Sequence, residues 1–352
     1  MTFDLAALVR PNIRVLKPYS SARSEFAGEA EVFLDANENA FGSPAGLSYN
    51  RYPDPVQSQL KKLIASISGV PAEQTFVGNG SDEAIDLLFR IFCRPDKDEA
   101  IICPPTYGMY KVSADINDVA VREIPLTANF QLDVDAVLAA ASPATKLLFI
   151  CSPNNPTGNI MRRQDVMHLL LHFGGIVVID EAYIHFAEEP SMIAELDSFP
   201  NLVVLQTFSK AWGMAGLRVG TAYANRDLIA LMNAVKPPYN VSTAAQMAVA
   251  EALARRDEVD QWIERTLGER DRLTDALLEL AFVRQVYPSD ANFLLVRVDS
   301  ALAVYKYLVV EKIVVRDRSA VRLCEGCLRI TIGTEDENAR LIAALKAFGG
   351  YS

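Results

Sequence analysis

Four stretches of the sequence set reactive or anion-binding side chains just past short apolar runs. In NLVVLQTFSKAWGMAGLRVG (201–220), Ser209 and Lys210 follow a β-branched run, and Arg218 stands eight residues further on. A lysine at a strand end inside an apolar cleft is driven towards the neutral amine, the form that attacks an aldehyde. A guanidinium returning to the same place can grip a phosphate with its planar fork. An exposed lysine without such a role fits the same letters.

In GGIVVIDEAY (174–183), Asp180 ends a buried run and Tyr183 follows three residues later. An unpaired buried carboxylate is costly, so Asp180 needs a partner. A pyridinium N–H would serve, and capping a helix is the alternative use. In KLLFICSPNNPTGN (146–159) the run ends in an Asn-Pro turn that can present the Asn155 amide above a sheet, although turn propensity alone accounts for it. In TFVGNGSDEAIDLLFR (75–90) a strand runs through glycines into a helix whose first turn holds Ser81, Asp82 and Glu83. Free N–H groups and the helix dipole make such a junction a phosphate cradle. Ser81 acting as a simple N-cap is the other reading. A dinucleotide fingerprint fails there, because its third glycine falls at Glu83.

All four stretches need a frame that brings strand ends together. Apolar runs at 75–77, 100–103, 119–124, 146–151, 176–179, 202–206 and 218–223 are each followed by turn residues and usually by a helical stretch. That alternation predicts an α/β fold: a large domain with a mainly parallel seven-stranded sheet between helices. The connection 206–218 carries small breakers and lacks the length of a crossover helix, so the last strand is expected to run antiparallel. Helical periodicity fills 241–280, and NFLLVRV (292–298) and CLRITIG (327–333), with a helical segment between them, predict a smaller α+β domain. The expected division is an arm (1–26) lying on another surface, such as a partner subunit, then a large domain (27–260) and a small C-terminal domain (261–352).

At 352 residues two packed units are the default. The net charge of −10 and the absence of a basic block argue against nucleic acid as a partner, and leave an anionic substrate to be caught by a few local arginines. No run is long enough for a membrane span or a signal-peptide core. An odd five cysteines point to free thiols in a reducing compartment, hence a cytoplasmic protein. Cys324 and Cys327 lack a second pair, and the i, i+4 pair His168 and His172 encloses only leucines, so no metal site is expected.

GSDE (80–83), SPNNPTG (152–158), DEAY (180–183) and SKAWGMAGLR (209–218), in that order, resemble the pyridoxal 5'-phosphate (PLP) dependent aminotransferases of the aspartate aminotransferase fold. KPYSSAR (17–23), LDANENAFG (34–42), RYPDP (51–55), PTYGMY (105–110), VIDEAYIHF (178–186) and LRITIGT (328–334) bring the closer resemblance to the histidinol-phosphate aminotransferases. The resemblance implies that Lys210 carries the cofactor and shuttles the proton, while Asp180 binds the pyridine nitrogen. It implies further that Tyr183 and Asn155 hold the ring hydroxyl and that Tyr107 stacks on the ring. Ser81, Asp82, Thr207, Ser209 and Arg218 are to surround the cofactor phosphate, with Tyr52 reaching over from the neighbouring subunit of a homodimer with shared sites. Arg329 is to clamp the anionic end of the substrate, with Arg316, Tyr19 and Asn37 nearby.

The implied substrates are L-histidinol phosphate and the glutamate/2-oxoglutarate pair. An aromatic amino acid aminotransferase or a threonine-phosphate decarboxylase of the same fold remains open, as does, more remotely, an aminotransferase-like binding protein without catalysis.

Overall fold

Near-continuous Val, Ile and Leu runs bury both faces of the strands they form, and these strands make the middle of the central sheet of the large domain. The structure, a computed structural model, describes residues 3–20, 31–46 and 49–349. Seven strands lie in the order β1-β7-β6-β5-β4-β2-β3. They are β1 (Thr75–Asn79), β2 (Glu99–Ile102), β3 (Ala120–Glu123), β4 (Thr145–Cys151), β5 (Ile176–Asp180), β6 (Leu202–Thr207) and β7 (Val219–Ala224).

Alternation along β5 divides the core between the two faces: Ile176 and Val178 point into one apolar cluster, Val177 and Ile179 into the other. Strands β3, β2, β4, β5 and β6 are mutually parallel, and β7 is antiparallel to both its neighbours, as the short connection predicts. Residues 208–218 contain only the 3-10 turn Ala215–Leu217, too little chain for a parallel crossover. The expected strand 218–223 starts one residue later, because Arg218 takes a left-handed backbone conformation, φ 55°, that no strand accommodates. In the parallel register Cys151 lies opposite Asp180 and Asp180 opposite Leu205, so the carboxyl ends of β4, β5 and β6 stand side by side.

The small domain is an antiparallel sheet in the order β10-β11-β9-β8, formed by β8 (Val283–Val286), β9 (Phe293–Val298), β10 (Arg316–Asp317) and β11 (Cys327–Thr331). Strands β8 and β10 escape the sequence reading: β10 is two residues long and β8, VRQV, shows no buried residue. The helix Arg256–Leu278 runs through the expected division at 260/261, placing Val259 in the large-domain core and Leu273 and Leu277 in that of the small domain. The surface under the first part of the arm is the chain's own large domain. Val9 is buried among residues of the helix Gly80–Phe92, and the Arg10 backbone N–H donates to Ile91 O at 2.9 Å. Residues 21–26 of the arm lie outside the described residues.

Candidate active site

A cavity of about 740 Å³ opens where the carboxyl ends of the large-domain strands meet the small domain. Ser81, Asp82, Tyr107, Asn155, Asp180, Tyr183, Thr207, Ser209, Lys210 and Arg218 line it from the large domain, and Arg316 and Arg329 from the small one. Open α/β sheets place ligands at this end of their strands.

At one wall the strand β1 turns through Gly80, φ +72°, into the helix Gly80–Phe92. The N-cap is Asn79 and its side chain makes no cap bond, so Ser81 lies inside the helix and the simple-cap reading is set aside. First-turn N–H groups of a helix have no intrahelical acceptor and are open to an anion. A Cβ at Gly220 would come within 2.3 Å of the Ser81 nitrogen and 2.5 Å of the Gly80 carbonyl carbon, so only glycine lets β7 pass this turn. The Arg218 side chain reaches the same spot, with Nη2 3.3 Å from Asp82 Oδ2 and Nη1 3.3 Å from Ser209 Oγ. Thr207 Oγ1 donates to Ser209 Oγ at 3.0 Å, and the Tyr107 hydroxyl donates to Asp82 Oδ1 at 3.1 Å.

Asp180 is 3% exposed. Its oxygens accept from the Tyr110 hydroxyl at 2.7 Å and from the Ala182 N–H at 3.1 Å, and no ion pair reaches it among the described residues. Burial pushes its carboxyl up to about 6, against the pull of these two donors. A buried carboxylate held by neutral donors alone is matched by a cationic N–H from a ligand. Desolvation, and then the nearby Arg329 guanidinium, push the Lys210 ammonium downward, towards the nucleophilic amine. Lys210 Nζ stands 5.4 Å from the centre of the Tyr183 ring. Burial drives the Tyr183 hydroxyl upward, so it stays a proton donor.

From the small domain Arg329 Nη1 donates to Asn155 Oδ1, joining the two domains across the cavity. Its guanidinium carbon lies 5.3 Å from the centre of the Phe293 ring, which packs edge-on against Tyr183.

Three expected residues do not join this group within one chain. Tyr52 and Asn37 line a separate cavity of about 660 Å³, where Tyr52 stacks on Tyr239 with ring centres 4.5 Å apart. Tyr19 lines neither and is 75% exposed. The expected grouping of Tyr19 and Asn37 beside Arg329 is therefore not made by a single chain.

Three further residues belong to the site and escape the sequence reading: Tyr110, Phe293 and Arg318. The spacing of Tyr110 after Tyr107 in PTYGMY is a signal for the first, and the strand spacing of Arg318 after Arg316 is one for the last. Phe293 offers no signal beyond an apolar strand.

The fold and this cavity are those of an aminotransferase: the chain belongs to the aminotransferase class I and II family, which matches residues 27–345. Its curated relatives include the histidinol-phosphate aminotransferase of Cytophaga hutchinsonii, 52% identical over 348 residues, 99% of this chain and 100% of that one. The histidinol-phosphate aminotransferase of Parabacteroides distasonis is 53% identical over 343 residues, 97% of this chain and 98% of that one. A crystal structure of histidinol-phosphate aminotransferase from Sinorhizobium meliloti in complex with pyridoxal-5'-phosphate has the same fold, with a TM-score of 0.80 at 23% identity over 90% of each chain. No helix among the described residues is long and apolar enough to cross a membrane.

Proposed function

We propose that the chain catalyses PLP-dependent transamination between L-histidinol phosphate and 2-oxoglutarate, giving imidazole acetol phosphate and glutamate, a step of histidine biosynthesis. One observation carries this reading: an amine, a buried acid and two separate arginine-bearing walls face a single cavity. PLP, when bound, supplies an electron sink for the Cα–H bond of the substrate. The chain's residues supply orientation, charge and proton transfer. Ser81, Asp82, Thr207, Ser209 and Arg218 hold the cofactor phosphate at the helix end, and Tyr107 covers the ring. Asp180 keeps a proton on the ring nitrogen, held in place by Tyr110. Tyr183 and Asn155 bind the ring hydroxyl. Lys210 holds the cofactor and then takes and returns the Cα proton. Arg329 and Arg316 bind the anionic end of each substrate in turn. In one functional division the large domain binds the cofactor and the small domain grips the substrate.

The direct test supplies purified holoenzyme with 2-oxoglutarate and L-histidinol phosphate, phenylalanine or threonine phosphate. Histidinol phosphate is expected to have the highest kcat/KM. A preference for phenylalanine, or release of carbon dioxide from threonine phosphate, would replace this reading with another of the same fold.

The same reading includes a homodimer with shared sites, in which Tyr52, Asn37 and Tyr19 serve the neighbouring subunit. Large apolar side chains left bare in this part of the chain support it, among them Val32, Leu34 and Phe41. Mixing Lys210→Ala with Tyr52→Ala protein should restore activity through hybrid dimers, in which one site of the pair is intact, up to on the order of a quarter of wild-type sites. A fully active monomer in analytical ultracentrifugation would exclude the arrangement. Five free, buried cysteines support a reducing, cytoplasmic setting.

A further inference from the structure

Five basic side chains face the cavity, Lys210, Arg218, Arg316, Arg318 and Arg329, against two acids, Asp82 and Asp180. Arg218 has Asp82 for company, and the three arginines of the small domain have no ion pair among the described residues. Such a cluster in a chain of net charge −10 is matched to an anion of more than one charge.

We infer that Arg318 is a third grip on the substrate phosphate and makes the site prefer a phosphate over a carboxylate. The inference rests on the transamination reading above. Arg316 opens the strand β10 and Arg318 follows its end, two residues on, and both side chains line the cavity. The antiparallel register sets Arg316 opposite Arg329 on β11, and the Arg318 N–H donates to Cys327 O one step further along the ladder. Three guanidinium groups therefore project from one corner of the small sheet into the cavity.

Their donors are unequally used. Arg329 commits Nη1 to Asn155, whereas Arg318 Nε is buried with no hydrogen-bond partner among the described residues. A buried donor on a cation is costly to leave unmet, so a bound acceptor is the natural complement. Desolvation and then the charges of Arg329 and Arg316 push the Arg318 guanidinium downward, a mutual repulsion that a dianion relieves. A carboxylate has two oxygens and is filled by one bidentate fork. Glutamate carries two separate carboxylates, which one fork each from Arg329 and Arg316 can fill. A phosphate gathers three acceptor oxygens and about twice the charge of a carboxylate at one point, which gives the third guanidinium its work in the histidinol phosphate half-reaction.

The test compares wild-type, Arg318→Gln and Arg318→Lys holoenzymes, each checked for native circular dichroism. Inorganic phosphate binding is measured by calorimetry, and the half-reactions with L-histidinol phosphate and glutamate by stopped flow. Loss of one charge-assisted contact is expected to weaken phosphate binding and raise KM for histidinol phosphate roughly 10- to 100-fold for Arg318→Gln, with kcat little changed. Glutamate kinetics should stay within about twofold, and Arg318→Lys should recover part of the loss because it keeps the charge without the fork. Unchanged phosphate affinity, or equal losses in both half-reactions, overturns the assignment. Should wild-type enzyme not turn over histidinol phosphate, the transamination reading falls. The phosphate titration then still judges Arg318.

Discussion

Lys210→Ala is expected to lower turnover by on the order of 10⁴-fold, the full contribution of a positioned proton-transfer group. Among the described residues no second amine or imidazole lines the cavity, and Asp82 is held by Arg218 and Tyr107. That lining contains no histidine and no lysine besides Lys210 among the described residues, and its other basic groups are arginines, which do not give up a proton at working pH. Asp180 is occupied by Tyr110 and Ala182. On the proposed mechanism the same substitution removes the amine that holds the cofactor, so the absorption band of the lysine-linked cofactor is expected to be lost as well. Borohydride reduction of wild-type holoenzyme followed by peptide mass mapping should find the cofactor on the peptide containing Lys210. Activity within tenfold of wild type, or a cofactor mapped to another residue, would remove Lys210 from its role.

Asp180→Asn separates function from stability. On the proposed mechanism the loss of this charge leaves the ring nitrogen without its partner, and each half-reaction is expected to slow on the order of 100-fold or more. The apoprotein tells the opposite story. Burial raises the Asp180 carboxyl from its ordinary 3.8 to about 6. A group raised in the folded state contributes stability that is fully present below its unfolded value and lost as pH rises through the folded one. Above about pH 6 the apoprotein therefore carries an ionised, desolvated carboxylate that asparagine does not have. Asp180→Asn apoprotein at pH 8 should be at least as stable as wild type, with a gain of up to about 2 kcal/mol that shrinks towards pH 5. Thermal melts of both apoproteins at pH 5 and pH 8 measure this. A variant that melts lower at pH 8 and yet keeps wild-type half-reaction rates would make Asp180 a structural residue.

The division of labour between chain and fold runs through particular residues. Ser209, Lys210, Asp180, Asn155 and the Gly80 to Asp82 turn stand directly after apolar runs, and any parallel sheet puts the residues after its strands at one edge. Their convergence follows from local pattern alone, as does the antiparallel seventh strand, because a short connection cannot cross over. The small domain was legible only in part. Its inner strands β9 and β11 are apolar, whereas β8 and β10 exist through the partner they pair with, so their own residues carry little signal.

Long-range pairing decided the rest. The 2.7 Å bond from Tyr110 to Asp180 joins residues 70 apart in sequence, and Arg329 meets Asn155 across 174 residues. No local periodicity encodes such contacts. The left-handed turn at Arg218, the glycine required at position 220 and the docking of Val9 on its own domain depend likewise on what lies across the fold. By itself the sequence marked Ser81, Asp82, Asn155, Asp180, Ser209, Lys210 and Arg218 as candidates and the strand end each one stands near, since residue type and local period carry that much, whereas Tyr107, Thr207, Arg316 and Arg329 entered through the family resemblance. Tertiary structure alone decided which partners tune those side chains and which residues, Tyr19, Asn37 and Tyr52, stand away from the cavity of their own chain, because burial and charge are properties of neighbours that only folding brings together.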